Sequence, residues 1–287
     1  MSSEASYRGW RRPGPVPPGG LTASEGETLD YLCGYFRIFQ YEGGHRYSTD
    51  DVLTAWYGTQ WAPRVEKAAD LGSGIGSVAM IAAWRLPGAA FHTVEAQAMS
   101  ARLARKSVEY NGLQSRFTIH EGDLRDPGLF AGEGPFDLVL GSPPYFPPGT
   151  ASAANHAQAI PARIELRGDI RDYALAASRI LAPGGLFAFV FPHARIGDVT
   201  TALDDAGLIL LRRRDVVFRE GDDPLISLFA AARAEDLPSS FHGTVEGKPV
   251  VEQKLVIRRR DGSVHPEYAT IRLSFGFPPG DVGPTES

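Results

Sequence analysis

Asp70-Leu71-Gly72-Ser73-Gly74-Ile75-Gly76-Ser77 decides how this chain folds. It follows the apolar run Val65–Leu71 and opens the stretch Val78–Leu86, whose apolar spacing is helical, so strand, glycine-rich turn and helix come in succession. Glycines at such a turn let the backbone approach a ligand where a Cβ would collide. The spacing is G-x-G-x-G followed by Ser77, not the G-x-G-x-x-G that seats a diphosphate on a helix N-terminus. Asp70 adds a carboxylate two residues before the first glycine. That charge repels a diphosphate and suits a ligand with a cationic amino-acid part.

Working outward, the same strand-and-helix rhythm repeats. Ala90–Glu95 reads as a second strand and Ala98–Tyr110 as a helix, closed by the stop signal Asn111-Gly112. Phe117–His120 and Phe136–Leu140 are short apolar strands of the kind covered on both faces. Ile170–Leu181 is helical, Pro183-Gly184-Gly185 stops it, and Leu186–Phe191 is a further strand. The expected fold is therefore α/β, a Rossmann-like doubly wound sheet, mostly parallel. Its end differs: Leu208–Val217 and Leu225–Ala232, either side of the turn Glu220–Pro224, make a C-terminal antiparallel hairpin. Lys254–Arg259 and Tyr268–Leu273, joined across Asp261-Gly262, suggest a second small hairpin. The expected organisation is a Pro/Gly-rich flexible tail over 1–24, a catalytic domain with an aromatic lead-in over 25–235, and a hairpin extension over 236–287.

With 43% hydrophobic and 22% charged residues, the composition is that of an ordinary globular protein. There is no charged-then-apolar leader at the start and no apolar run near ~18 residues, so neither secretion nor membrane insertion is expected and the chain reads as cytoplasmic. The single Cys33 excludes an internal disulfide and any cysteine-based zinc cluster. His45, His92, His120, His156 and His193 are scattered, and no metal site is expected. The net charge of −5 argues mildly against nucleic acid unless a local basic patch exists. Arg212-Arg213-Arg214 and Arg258-Arg259-Arg260 are candidates, as are Arg8, Arg11 and Arg12 interleaved with Tyr7 and Trp10 in the tail; solvated charges are the plainer reading of each.

Acidic residues recur at the other strand ends. Glu95, followed by Ala96, closes the second strand, where a carboxylate accepts the ribose hydroxyls of an adenosine. Gly122-Asp123-Leu124 follows the third, with Asp123 able to accept an adenine amino group. Together with Asp70, Gly72, Ser73, Gly74 and Gly76, these residues describe a site for S-adenosylmethionine.

The fourth strand runs into Ser142-Pro143-Pro144-Tyr145-Phe146. A Pro-rich turn is common after a strand, but this one borders the ligand crevice of a doubly wound sheet. An exocyclic amino or amide nitrogen is a poor nucleophile because its lone pair is delocalised. Two oxygen acceptors can hold its hydrogens and turn the lone pair toward an activated methyl. Ser142 Oγ and the Pro143 carbonyl are those acceptors, and Pro143 and Pro144 stiffen the backbone that presents them. Tyr145 and Phe146 offer stacking faces for a planar substrate group. The sulfonium is already activated, so positioning and electrostatics suffice without metal or covalent nucleophile.

The two signatures, in this order, resemble those of the class I amino-methyltransferases with an [Asn/Asp/Ser]-Pro-Pro-Tyr motif. From about Tyr35 to Leu273 the chain is most similar to the tRNA(Val) adenine-N6 methyltransferase family, which acts on an adenosine beside the anticodon. Phe36–Gln40, the Tyr47–Trp56 stretch with Thr49, Pro161–Glu165 and the segment Leu255–Tyr268 carry the likeness outside the two signatures. The resemblance implies that Thr49 and its neighbours border the cofactor. It also implies N-methylation of an adenine in tRNA or other RNA. Because the same motif can orient a side-chain amide, a protein glutamine, a small molecule or a cytosine N4 stays open as the acceptor.

Overall fold

The computed structural model describes residues 6–7, 10–11, 20–62, 64–147, 158, 164–236 and 249–277. Most of the expected 1–24 tail, and Pro161–Arg163 and His156, lie outside the described residues; within the tail, Ser6–Tyr7 pairs antiparallel with Trp10–Arg11. The aromatic lead-in forms a hairpin of β1 (Glu27–Cys33) and β2 (Phe36–Tyr41), followed by helix α1 (Thr49–Trp61). Ser48 caps α1 in a reciprocal pair with Asp51, which fixes where the helix starts.

The expected rhythm follows closely. Strand β3 (Lys67–Leu71) leads to α2 (Ser77–Arg85), β4 (Ala90–Glu95) to α3 (Ala98–Tyr110), and then come β5 (Phe117–Glu121) and β6 (Phe136–Gly141). Helix α4 (Ile170–Ile180), capped by Asp169 and Asp172, precedes the long β7 (Leu181–Pro192). After α5 (Ile196–Asp205) the chain turns antiparallel, with β8 (Leu208–Arg219) paired to β9 (Ile226–Arg233) as the expected hairpin. The short β10 (Val250–Val251) and β11 (Leu255–Arg258) both run parallel to β8.

The second hairpin is not there. Tyr268–Leu273 lies inside helix α6 (Pro266–Ser274), and only an isolated bridge joins Arg258 to Val264. Start signals outweigh the β-prone residues: His265 caps the helix through its side chain, Pro266 occupies the first turn and Glu267 adds an acidic residue there.

The nine-stranded sheet runs β10-β8-β9-β7-β6-β3-β4-β5, with β11 also on β8. Chain order reverses between β3 and β6, which opens a crevice at the carboxyl ends of those strands. One face carries α1, α2, α3, α6 and the lead-in hairpin over a core that includes Phe39, Tyr57, Phe91 and Phe275. The other face carries α4 and α5 over Phe136, Phe187, Phe189 and Phe229. Over β4 and β5 that second face has no helix among the described residues. The turn-rich segment from Gly122 to Pro135 covers it instead, through Leu129 and Phe130.

Candidate active site

Strand register brings the expected residues to one level. Leu71 pairs with Val94 on one side and Gly141 on the other, and Glu95 pairs with Glu121. The loops that leave these ends therefore meet around one cavity of about 580 Å³, within the usual range for small-molecule sites.

The glycine turn forms one wall. Gly72, Gly74 and Gly76 all hold positive φ, at 61°, 56° and 83°. Gly72 has a second reason to lack a side chain, since a Cβ there would fall 1.9 Å from the Tyr173 hydroxyl. Ser73 N–H donates to the Val94 carbonyl at 2.9 Å, lacing the turn to β4, while Gly76 closes it by donating to Ser73 O at 2.8 Å. Gly72, Ser73 and Gly74 line the cavity; Gly76 caps α2 and does not.

Acidic side chains dominate the interior. Asp70 is buried and accepts from the Ala79 N–H at 3.1 Å. Glu95, also buried, accepts from Gly74 N–H at 2.8 Å and Gln97 N–H at 2.7 Å. Burial pushes both carboxyls above their ordinary range, and for Asp70 the nearby charges of Asp51 and Glu95 add to it. Ala96 and Leu124 line the cavity, and Asp123 does not. Its carboxylate is taken by the Arg125 guanidinium, with Nε at 2.8 Å, which holds its pKa low. Thr49 is likewise off the wall, although Ser48, Asp50 and Asp51 on either side of it are on it.

Ser142, Pro143, Pro144, Tyr145 and Phe146 form the facing wall. Tyr145 Oη–H donates to Asp50 Oδ2 at 2.7 Å. Burial and then the neighbouring Asp50 charge push the phenol pKa up. Burial raises the Asp50 carboxyl to about 6 against the opposing Tyr145 bond, with Asp51 adding to the rise. Asp51 in turn accepts from Ser77 Oγ–H at 2.6 Å, tying α1 to the start of α2. The Tyr145 ring meets Phe191 edge-on at 6.2 Å, and Phe146 stands 44% exposed at the mouth. Arg195 braces the wall from behind: Nη1 donates to the Tyr145 carbonyl at 3.1 Å and to Glu165 Oε1 at 2.5 Å.

The sequence reading put the stretch around Thr49 beside the cofactor without singling out Asp50 or Asp51, and it missed Tyr173. The two aspartates lie in the Tyr47–Trp56 stretch, but the partner of Asp50 is 95 residues away, and no local pattern reveals that. The cavity thus gathers Asp50, Asp51, Asp70 and Glu95 with no basic side chain bonded to any of them among the described residues. Ser73 Oγ is buried there without a hydrogen-bond partner. Concentrated negative charge and an orphaned hydroxyl suit a ligand that is cationic and carries hydroxyls or amines. S-adenosylmethionine, with its sulfonium and ammonium on an adenosine, meets that description.

Known proteins agree. Residues 58–165 match the model of the methyltransferase small domain family. A tRNA1(Val) (adenine(37)-N6)-methyltransferase of Porphyromonas gingivalis strain W83 is 28% identical over 84% of this chain and 92% of its own length. The enzyme of that name from Aeromonas hydrophila is 30% identical over 69% of this chain and 81% of its own. In fold, a crystal structure of a predicted O-methyltransferase from Agrobacterium tumefaciens superposes with a TM-score of 0.59, at 20% identity, over 80% of this chain and 98% of that one. The chain belongs to the tRNA1(Val) (adenine(37)-N6)-methyltransferase family, and it is a methyltransferase that uses S-adenosylmethionine.

Proposed function

We propose that this enzyme methylates the exocyclic N6 amino group of an adenine in tRNA, and that Ser142–Tyr145 is the wall that holds the amino group. The observation that carries this reading is the hydrogen bond from Tyr145 to Asp50 on the wall that also holds Ser142, set into an acidic cavity beside the glycine turn. The Ser142 hydroxyl oxygen carries lone pairs able to accept a hydrogen bond. An amino group offering two N–H donors fits that oxygen and the Pro143 carbonyl. Phe146, exposed at the mouth, supplies an apolar face for the base.

Asp70, Glu95 and Ser73 are the residues to hold S-adenosylmethionine, which supplies a methyl group already activated on sulfur. This chain's residues then orient the acceptor and exclude water. The nitrogen must also shed a proton, and Asp50, with its pKa raised to about 6, is a carboxylate able to receive it through the Tyr145 hydroxyl. No helix among the described residues is long and apolar enough to cross a membrane. A tRNA substrate places the enzyme's work in the cytoplasm.

The test combines labelling and variants. Radiolabelled cofactor incubated with tRNA, protein and metabolite fractions should label tRNA, with N6-methyladenine recovered after digestion. Tyr145→Ala should bind cofactor within about threefold of wild type while transfer disappears; Asp70→Ala and Glu95→Ala should lose cofactor binding in calorimetry. Label recovered in protein or metabolites alone would overturn the tRNA reading. Unchanged cofactor affinity in both carboxylate variants would overturn the site.

A further inference from the structure

We propose that His92, His120 and Glu133 bind one divalent transition-metal ion, Zn²⁺ in the first instance, which clamps the Gly122–Pro135 segment onto the edge of the sheet. None of the three lines the cofactor cavity. His92 lies on β4 and His120 on β5, and the register pairs His92 with Thr118 and Val94 with His120. The two imidazoles therefore stand on one face of neighbouring strands, with rings 5.9 Å apart and 15° from parallel. Glu133 arrives from the covering segment and sets Oε2 2.6 Å from His92 Nδ1 and 2.8 Å from His120 Nε2. All three ligand atoms lie within 4.8 Å of one another.

The directions of these atoms matter as much as their distances. His92 Nδ1 is aligned for a hydrogen bond to Glu133. His120 Nε2 is shut off from solvent and close to the same oxygen, yet it makes no hydrogen bond to it or to any other described residue. A hydrogen-bonded pair points donor at acceptor, whereas ligands of a shared ion point at a place between them. Ligand atoms each about 2.0–2.1 Å from an ion at tetrahedral angles are roughly 3.3 Å apart, so a small widening of this cluster seats one. Two imidazoles and one carboxylate form a donor set for zinc and its neighbours rather than for calcium or magnesium.

The surroundings match such a site. Phe136 meets His92 edge-on at 5.2 Å, Phe130 meets His120 at 5.2 Å, and the two phenylalanines touch each other at 5.4 Å. This apolar shell fixes both rings. The side chains keep 13%, 15% and 33% of their surface, which leaves room for water in a fourth position. The clamped segment begins with Gly122 and Leu124 on the cavity wall and ends at β6, the strand that leads to Ser142. An ion there stiffens that path without joining the reaction.

The experiment uses the full chain with any purification tag removed, dialysed against chelator and titrated with zinc chloride in a calorimeter. We expect about one ion per chain, a Tm raised by about 5 °C with zinc in excess, and a visible band when cobalt replaces zinc. His120→Gln and Glu133→Gln should each weaken zinc binding at least about 100-fold while keeping the far-ultraviolet circular dichroism and cofactor affinity of wild type. A wild-type chain that binds no zinc at 100 µM would overturn the proposal whatever the variants do, as would wild-type zinc affinity retained in both variants.

Discussion

Asp50 and Tyr145 act as one unit, because the phenol that should steady the substrate is itself held by a half-buried carboxylate. Asp50→Asn keeps the shape and an acceptor but removes the charge, and Tyr145→Phe keeps the ring but removes the donor. Each should lower kcat about 10- to 100-fold, the worth of a hydrogen bond to a charged group, with a smaller change in KM for tRNA. The double variant should be scarcely worse than the poorer single one, since both remove the same bond. Full additivity in steady-state kinetics would show that the two residues act separately. Legibility at this scale followed distance along the chain. Asp70 and Glu95 lie at the ends of their strands and Ser142 directly follows one, so they could be read there. Asp50 depended on a partner far away, and nothing in the sequence showed that Arg125, two residues on, bonds the Asp123 carboxylate.

Among the elements, those in the alternating part of the chain were legible because apolar period and stop signals agree. Ala90–Glu95 and Ala98–Tyr110 fall where the pattern put them. The lead-in was not resolved into elements, since its aromatic residues suit a hairpin and a helix equally. Tyr268–Leu273 looked like a strand from its β-prone residues, but the capping signals of the three residues before it decide for helix. Capping also sets the site. Ser48 accepts from the Asp50 N–H at 3.3 Å and donates its own N–H to Asp51 at 2.7 Å, so the start of α1 presents both cavity aspartates. Ser48→Ala should cost about 1 kcal/mol and lower Tm by about 2–4 °C. Loss of cofactor affinity beyond that expected from unfolding, measured by calorimetry, would show that the cap also shapes the cavity.

Over the whole molecule, two kinds of buried carboxylate respond oppositely to pH. Asp50, with its folded pKa raised to about 6, keeps its proton to a higher pH than it does unfolded, so the cofactor-free protein loses stability as pH rises through the range from about 4 to 6. Asp70 and Glu95 shift in the same direction. Burial alone would raise Glu27, yet the Lys106 ammonium and Arg102 guanidinium hold it at about 2, so its contribution is present above the ordinary carboxylate range and disappears as pH falls through 2. Scanning calorimetry of the cofactor-free enzyme should therefore find its highest Tm in acid buffer, near pH 4. Cofactor affinity should run the other way and weaken about tenfold per pH unit below 6, because a cation prefers the ionised cavity. A Tm that climbs steadily from pH 5 to 8 would refute this. Net charge was the least informative property. Arg214 pairs with Glu267 at 2.5 Å and Arg213 with Asp215 at 3.1 Å, while Arg212 lies over the Trp61 ring at 3.9 Å, so this triplet is spent inside the fold rather than on a basic face.

The lead-in hairpin is finished by residues from the other end of the chain. Gly34 N–H donates to the Phe275 carbonyl at 2.8 Å, Tyr31 Oη–H donates to the Gly276 carbonyl at 2.6 Å, and Phe277 meets the Tyr31 ring edge-on at 5.5 Å. During synthesis the hairpin emerges from the ribosome more than two hundred residues ahead of these partners. Its apolar face must then wait, or be shielded by a chaperone, until those partners have also left the ribosome. A ribosome stalled before Phe275 thus holds a chain whose strands β3 to β7 can already pair while its first hairpin is still unsealed.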